Sequence, residues 1–197
     1  MTTFRPDDMP WREAYKLLTG LVTPRPIAWV GTRAADGVAN LAPYSFFNVA
    51  SSEPPTVLFC PQAGDGQDDK DSLANAEATG VFTVSIVSHH LAEHMNASSA
   101  SVDPDVDEFG LAGVTAVEGD VVAAPYVGEA KAALECELFE VVRIGRGAVV
   151  LGTVVAFHVD DDALDGTRVL PEVLDTVGRL GWPNYTTTRD IFQMTRP

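Results

Sequence analysis

Residues 27–60 read IAWVGTRAADGVANLAPYSFFNVASSEPPTVLFC. Ile27–Thr32, with no polar side chain before Thr32, reads as a buried strand. Ala35-Asp36-Gly37 follows, and Asp-Gly between apolar runs is the strongest short-range signal for a hairpin turn. The chain returns through Val38–Phe47, crosses Glu53-Pro54-Pro55 and enters Thr56–Cys60. The expectation is an antiparallel meander of short strands.

Outward from that block the pattern stays β-rich. Upstream, Trp11, Tyr15 and Leu18 have helical spacing over Trp11–Leu21, with Pro10 suited to a first-turn position. Thr23-Pro24-Arg25-Pro26 then forces an extended path. Downstream, Gln62–Asp69 is a polar loop, and Asp71-Ser72 offers N-cap chemistry to a helix over Leu73–Ala78 closed by Gly80. Val81–Val87 reads as a strand, His89–Ser98 as a second helix and Asp103–Gly113 as an acidic turn. Two long β runs, Ala132–Ile144 and Ala148–Val159, are joined by Gly145-Arg146-Gly147. A short helix is expected near Pro171–Thr176 and a short strand near Asp190–Met194. With no internal repeat and six or more strands, the chain predicts a closed or partly closed barrel, mostly β with short helices.

The chain has 197 residues, 46% of them hydrophobic, enough for one cored domain spanning 1–197. Its formal net charge is −15. Such a surface repels phosphate backbones and anionic lipid, so neither nucleic acid nor a membrane is an expected partner. Lys and Arg total only 13, so any anion site must be locally basic or lined with backbone N–H groups. Cys60 and Cys136 fit no metal spacing and read as small hydrophobes. No apolar run approaches the roughly 18 residues of a membrane span. Met1–Pro10, with Arg5, Asp7 and Asp8, does not have the form of a secretory signal. The chain is therefore expected in the cytoplasm, where the sequons at Asn96 and Asn184 have no role.

His90-Leu-Ala-Glu93-His94 matches the inverted zinc-peptidase pattern, but the stretch after it, Asn96–Ser101, supplies neither a third ligand nor a long helix. An exposed polar helix face accounts for it. Asp103, Asp105 and Asp107 imitate a calcium loop, yet Glu108 stands where glycine is required and Val114 where a bidentate Glu is required. Asp160-Asp161-Asp162 reads as a solvated strand end. No metal is expected. Gly-rich dinucleotide and P-loop signatures are absent, as is a nucleophile elbow.

Two stretches carry more. Lys70-Asp71-Ser72 places a cation and a hydroxyl at a helix start, where free N–H groups and the macrodipole favour a phosphate. In Asn40–Asn48, Pro43 interrupts the strand beside Tyr44, Ser45 and Asn48, the mark of an edge or bulge whose polar groups are free to meet a ligand. A planar heterocycle with several acceptors would suit it.

Together these residues resemble the flavin reductase-like, FMN-binding split-barrel family of the flavoredoxin type. Thr23–Val30 looks like the family's opening strand, Asn40–Asn48 its flavin-facing strand, and Lys70-Asp71-Ser72 its phosphate-holding helix start. Leu134-Glu135-Cys136, Val150–Val155 and Arg179-Leu180-Gly181 extend the likeness. The resemblance implies a six-stranded Greek-key split barrel and a homodimer with flavin at the subunit interface. It implies a wall of Ala42, Pro43, Tyr44 and Ser45 against the ring, with Asn48, Val49, Ala50 and Ser51 nearby. Lys70, Asp71 and Ser72 would hold the phosphate. Ser72 replaces the usual threonine but keeps the hydroxyl, and Trp182 stands where a second glycine is common. The implied activity is flavin reduction by NADH or NADPH, the reduced FMN leaving for a redox partner or monooxygenase. The alternatives are an FMN-containing electron carrier and a barrel used only for binding. No catalytic residue is assigned, because hydride transfer to the flavin can draw its proton from solvent.

Overall fold

Gly37 adopts φ +98°, a conformation that L side chains rarely take, and closes the hairpin between β1 (Ala28–Arg33) and β2 (Ala39–Tyr44). The Asp36 carboxylate tightens it by accepting from the Val38 N–H at 3.2 Å. A computed structural model describes residues 1–63, 69–103 and 106–195. The remaining barrel strands are β3 (Phe47–Ser52), β4 (Pro55–Phe59), β5 (Val81–Ile86), β6 (Ala132–Ile144) and β7 (Gly147–Val159). They form one seven-stranded antiparallel sheet in the order β2-β1-β5-β6-β7-β4-β3.

The meander expectation fails at Ser45-Phe46. β2 and β3 are consecutive in the chain, yet they are the two edges of the sheet and do not pair. Laid flat, six strand spacings of about 4.8 Å would separate those edges by about 29 Å. The three peptide units from Tyr44 to Phe47 reach only about 11 Å. The sheet must therefore curl until its edges nearly meet, which gives a barrel with a seam: the split. The sheet has seven strands, not the six of the resemblance, because the 38–47 run ends at Tyr44 and a separate strand begins at Phe47.

Alternation along the strands makes two cores. Val30, Phe59, Phe82, Val84, Cys136 and Val150 fill the barrel. On the other face of β1, Trp29 is fully buried with Leu41, Leu91, Met95 and Phe109 under the helices. The long β6–β7 pair bends through register shifts at Leu151/Gly152 and Val154/Ala156. Gly152 is required there, since a Cβ would run into the Phe82 ring. Cys136 is in the core and Cys60 is half-buried, both as free thiols.

The helices are α1 (Trp11–Leu21), α2 (Asp71–Thr79), α3 (Ala92–Ala97), α4 (Glu108–Ala112) and α5 (Pro171–Leu174). The α2 helix ends on Gly80 at φ +75°, as its sequence predicts, but begins at Lys70 with no side-chain cap. The His89–Ser98 helix breaks into a 3-10 turn, His89–Leu91, followed by α3. The acidic 103–113 stretch holds α4, whose Asp107 carboxylate caps Phe109 N–H at 3.0 Å. At the C-terminus the strand forms at Tyr185–Thr187, not 190–194, and joins Arg25–Pro26 through Val177–Arg179. The buried Arg25 guanidinium closes α1, donating to the carbonyls of Thr19 and Val22, each at 2.6 Å, and to Leu180 at 3.2 Å. Among the described residues, no helix is long and apolar enough to cross a membrane.

Candidate functional site

β2 is an edge strand, so Pro43, which has no N–H, costs it no ladder bond. The face it presents there meets the start of α2. Asn40, Ala42, Pro43 and Tyr44 from β2 and Lys70, Asp71 and Ser72 from α2 line one pocket of about 160 Å³. The segment Ser98–Val102 and the Glu108 side chain complete it. The first intrahelical bond runs from Leu73 N–H to Lys70 O at 2.8 Å. The N–H groups of Asp71 and Ser72 precede that bond and are among the helix's orphan donors.

Asn40 organises the floor. Its Oδ1 accepts from Ser72 Oγ at 2.8 Å and from Thr32 Oγ1 at 3.1 Å. Its Nδ2 donates to Glu108 Oε2, which also accepts the Leu41 N–H at 2.6 Å. Glu108 is buried. Burial, reinforced by the Asp71 and Asp107 charges, outweighs the Leu41 N–H and Lys70 and pushes its carboxyl up to about 7. Burial also raises the Tyr44 phenol. Trp29 donates its indole N–H to Ser98 Oγ at 2.8 Å, tying the 98–102 segment to the buried face of β1.

The structure brings together six of the residues named from sequence: Ala42, Pro43, Tyr44, Lys70, Asp71 and Ser72. Ser72 does not face the cavity as a free hydroxyl, because its Oγ is committed to Asn40. Ser45 lies at the β2–β3 corner, where Arg25 Nε approaches its Oγ at 3.4 Å. Asn48, Val49, Ala50 and Ser51 are on β3, the opposite edge, and none lines the pocket. Most of the 62–69 loop, residues 64–68, lies outside the described residues, as do 104 and 105 of the calcium-like stretch.

Sequence reasoning missed Asn40 as a hub, the 98–102 wall and Glu108. The run Ser98-Ser-Ala-Ser101 carried a usable signal, three hydroxyls directly after a helix. Glu108 carried none, since its burial depends on where α4 lands. A wider cleft of about 1000 Å³ lies beside α3, with His89, Glu93, Arg179, Tyr185 and Arg189 among its lining. Its arginines already have partners: Arg189 holds Asp175 at 3.0 and 2.8 Å, and Arg179 donates to Tyr185 Oη and Trp182 O. The zinc-like histidines do not share a continuous α-helix, and His94 Nδ1 lies 2.8 Å from Ala112 O. Among the described residues, Asp120, Glu135 and His158 bring potential ligand atoms within 4.8 Å of one another. Glu135 is saturated, however. Oε1 accepts from Asp120 N–H and faces His158 Nε2, and Oε2 accepts from Val121 and Val122 N–H.

A sequence model of the flavin reductase like domain matches residues 20–176. A Deinococcus radiodurans protein is 45% identical over 198 residues, covering 95% of this chain and 86% of that protein. Nitrilotriacetate monooxygenase component B from Bacillus cereus superposes with a TM-score of 0.95 at 32% identity, over 98% of each chain. The 2-nitrobenzoate 2-nitroreductase NbaA of Pseudomonas fluorescens gives 0.90 at 29% identity, over 100% of this chain and 96% of that one.

Proposed function

Because this chain belongs to the flavin reductase-like domain family, we propose that it binds FMN and reduces it with NADH or NADPH. The observation that carries this reading is the convergence of the α2 N-terminus, Lys70 and the Ser98–Val102 segment on the free face of an interrupted edge strand. The donor set fits a phosphate: the orphan N–H groups of α2, the Lys70 ammonium and the Ser101 hydroxyl, the hydroxyls of Ser98 and Ser99 being spent on the Met95 and Asn96 carbonyls. At about 160 Å³ the pocket is smaller than the roughly 300 Å³ lower end for whole small-molecule sites. It therefore takes the phosphate end of FMN, and the tricyclic ring would lie outside it, against Pro43, Tyr44 and Ser45.

FMN held there would supply the redox chemistry, accepting a hydride from a nicotinamide donor. The chain's residues bind and orient. Lys70 neutralises phosphate charge, and Pro43 and Tyr44 give the ring a dry wall. Asn40 fixes β2 against α2, so the wall and the phosphate grip keep their spacing. The monooxygenase component among its structural relatives supports a role as flavin supplier to a partner enzyme. We also propose a homodimer, in which β3 with Asn48–Ser51 would meet flavin from across a two-fold interface.

The test is anaerobic mixing with NADH or NADPH and excess free FMN, following flavin bleaching. Turnover well above the uncatalysed rate is expected with one donor or both. A chain of charge −15 repels an anionic dinucleotide, so the rate should rise with moderate salt. If dithionite bleaches the bound flavin and neither nicotinamide does, the protein is an electron carrier instead.

A further inference from the structure

We infer that Glu108 decides which charge the Lys70 pocket accepts: with its carboxyl neutral the pocket takes the FMN phosphate dianion, and with it ionised the pocket turns that dianion away. This role rests on the phosphate reading above.

Glu108 and Lys70 line the same cavity of about 160 Å³. The pocket is small, so a phosphate held in it lies close to the residues of its wall, Glu108 among them. Nor can the carboxyl turn away. The residue is 6% exposed, and Oε2 is pinned by Leu41 N–H and Asn40 Nδ2. The groups that face it are countable among the described residues. The α2 helix contributes Lys70 and Asp71, the flank of α4 contributes Asp107, and β2 contributes the Tyr44 phenol. The 98–102 segment contributes serine hydroxyls and no charge. One ammonium against Asp71 and Asp107 leaves no positive surplus for a dianion. An ionised Glu108 would add a third carboxylate in the pocket wall, where partial burial weakens screening.

The neutral acid has the opposite effect. With Oε2 occupied as an acceptor, its proton goes on Oε1, giving the pocket a further O–H donor for a phosphate oxygen. Burial places this carboxyl's titration at about 7, so the proton is resident in mildly acidic solution and lost in mildly alkaline solution. A bound dianion raises that value further. Above pH 7, FMN binding must then take up a proton, and affinity falls as pH rises.

The test is fluorescence titration of FMN and riboflavin from pH 6 to 9 on the wild-type protein and on Glu108→Gln. Glutamine keeps an acceptor for Leu41 N–H and cannot ionise. Wild-type affinity for FMN should fall towards tenfold per pH unit above 7 by proton linkage, with riboflavin flat. The ratio of Glu108→Gln to wild-type affinity should rise more than tenfold between pH 6 and pH 8.5 by the same linkage. The phosphate's own proton, with a pKa of about 6, affects both proteins alike and cancels in their ratio. Parallel wild-type and Glu108→Gln curves over the whole range overturn the inference and leave the phosphate site standing. FMN and riboflavin binding alike at every pH in both proteins overturns the phosphate site and the inference with it. Calorimetry needs no variant: at pH 8, in buffers of different ionisation enthalpy, wild type should take up close to one proton per FMN and none per riboflavin. No uptake with FMN overturns the inference.

Discussion

Lys70 is the N-cap of α2, with extended backbone (φ −71°, ψ 143°), an exposed residue that lines the pocket. Its position was readable from sequence, because a cation directly before Asp-Ser and an apolar helix marks an anion-favouring terminus. The work of Ser72 was not readable. A serine there suggests a cap, yet its hydroxyl donates to Asn40, thirty-two residues away in sequence. Glu108 is a third case, an acidic residue in an acidic stretch that becomes buried. Charge-assisted contacts contribute about 1.5–3 kcal/mol, so Lys70→Ala should weaken FMN binding about 10- to 100-fold. Riboflavin, which lacks the phosphate, should bind both proteins alike. Fluorescence titration decides it, and equal loss for both ligands removes Lys70 from the phosphate site.

Elements were easiest to read where local signals and burial agree. α1 follows its apolar spacing from Trp11 to Leu21, and β6 and β7 follow their long β runs on either side of Gly145-Arg146. Pairing across long separations was not readable, and Glu135 shows why. It projects from β6 into a turn of backbone, accepting N–H groups from Asp120, Val121 and Val122 at 2.9, 2.8 and 2.6 Å. Gly119 is required beside it, because a Cβ would come within 2.6 Å of Oε2. Burial alone would raise this carboxyl, but the N–H groups and His158 outweigh it and hold it below the usual range. The carboxylate thus clamps 119–122 onto the outer face of the barrel. Glu135→Gln turns an NH₂ towards backbone donors and should cost about 1.5–3 kcal/mol, read as a lower urea midpoint at pH 7. The native pKa is depressed, so the stabilisation is present above the ordinary carboxylate value of about 4.3 and is lost as pH falls below it. The gap between variant and wild type should close in acid, and a gap constant with pH would show that the carboxylate is not the clamp.

Over the whole molecule, charge and exposed apolar area act together. A net charge of −15 keeps copies apart, yet Phe139, Ile144 and Phe157 stand exposed on β6 and β7, Val49 on β3, and Leu18 and Leu21 on α1. These apolar side chains on the curled sheet, one edge strand and a helix are surface that a second copy could cover. The open edge of β3 adds unpaired backbone. Two-fold pairing covers such surfaces most often, and it sets the expected state. Sedimentation equilibrium at micromolar concentration should give twice the chain mass of 21.0 kDa, with and without FMN. A result at 21.0 kDa in both conditions rules the dimer out.

Determined by sequence alone were the β-rich class, the turns at Asp36-Gly37 and Gly145-Arg146, the α2 stop at Gly80 and the Lys70-Asp71-Ser72 helix start. Each is set by residues within a few positions of one another, through φ preferences, periodicity and orphan N–H groups. The tertiary structure decided what those elements meet. Ser45-Phe46 proved to be the seam of the barrel and not the interior of a strand, because only the order of all seven strands fixes which ones are edges. That same closure carries Asn40 to Ser72, folds α4 so that Glu108 is buried against β2, and leaves Asn48–Ser51 on the edge away from the pocket. Burial and long-range hydrogen bonding give a carboxyl its charge state, and neither exists until the chain has closed.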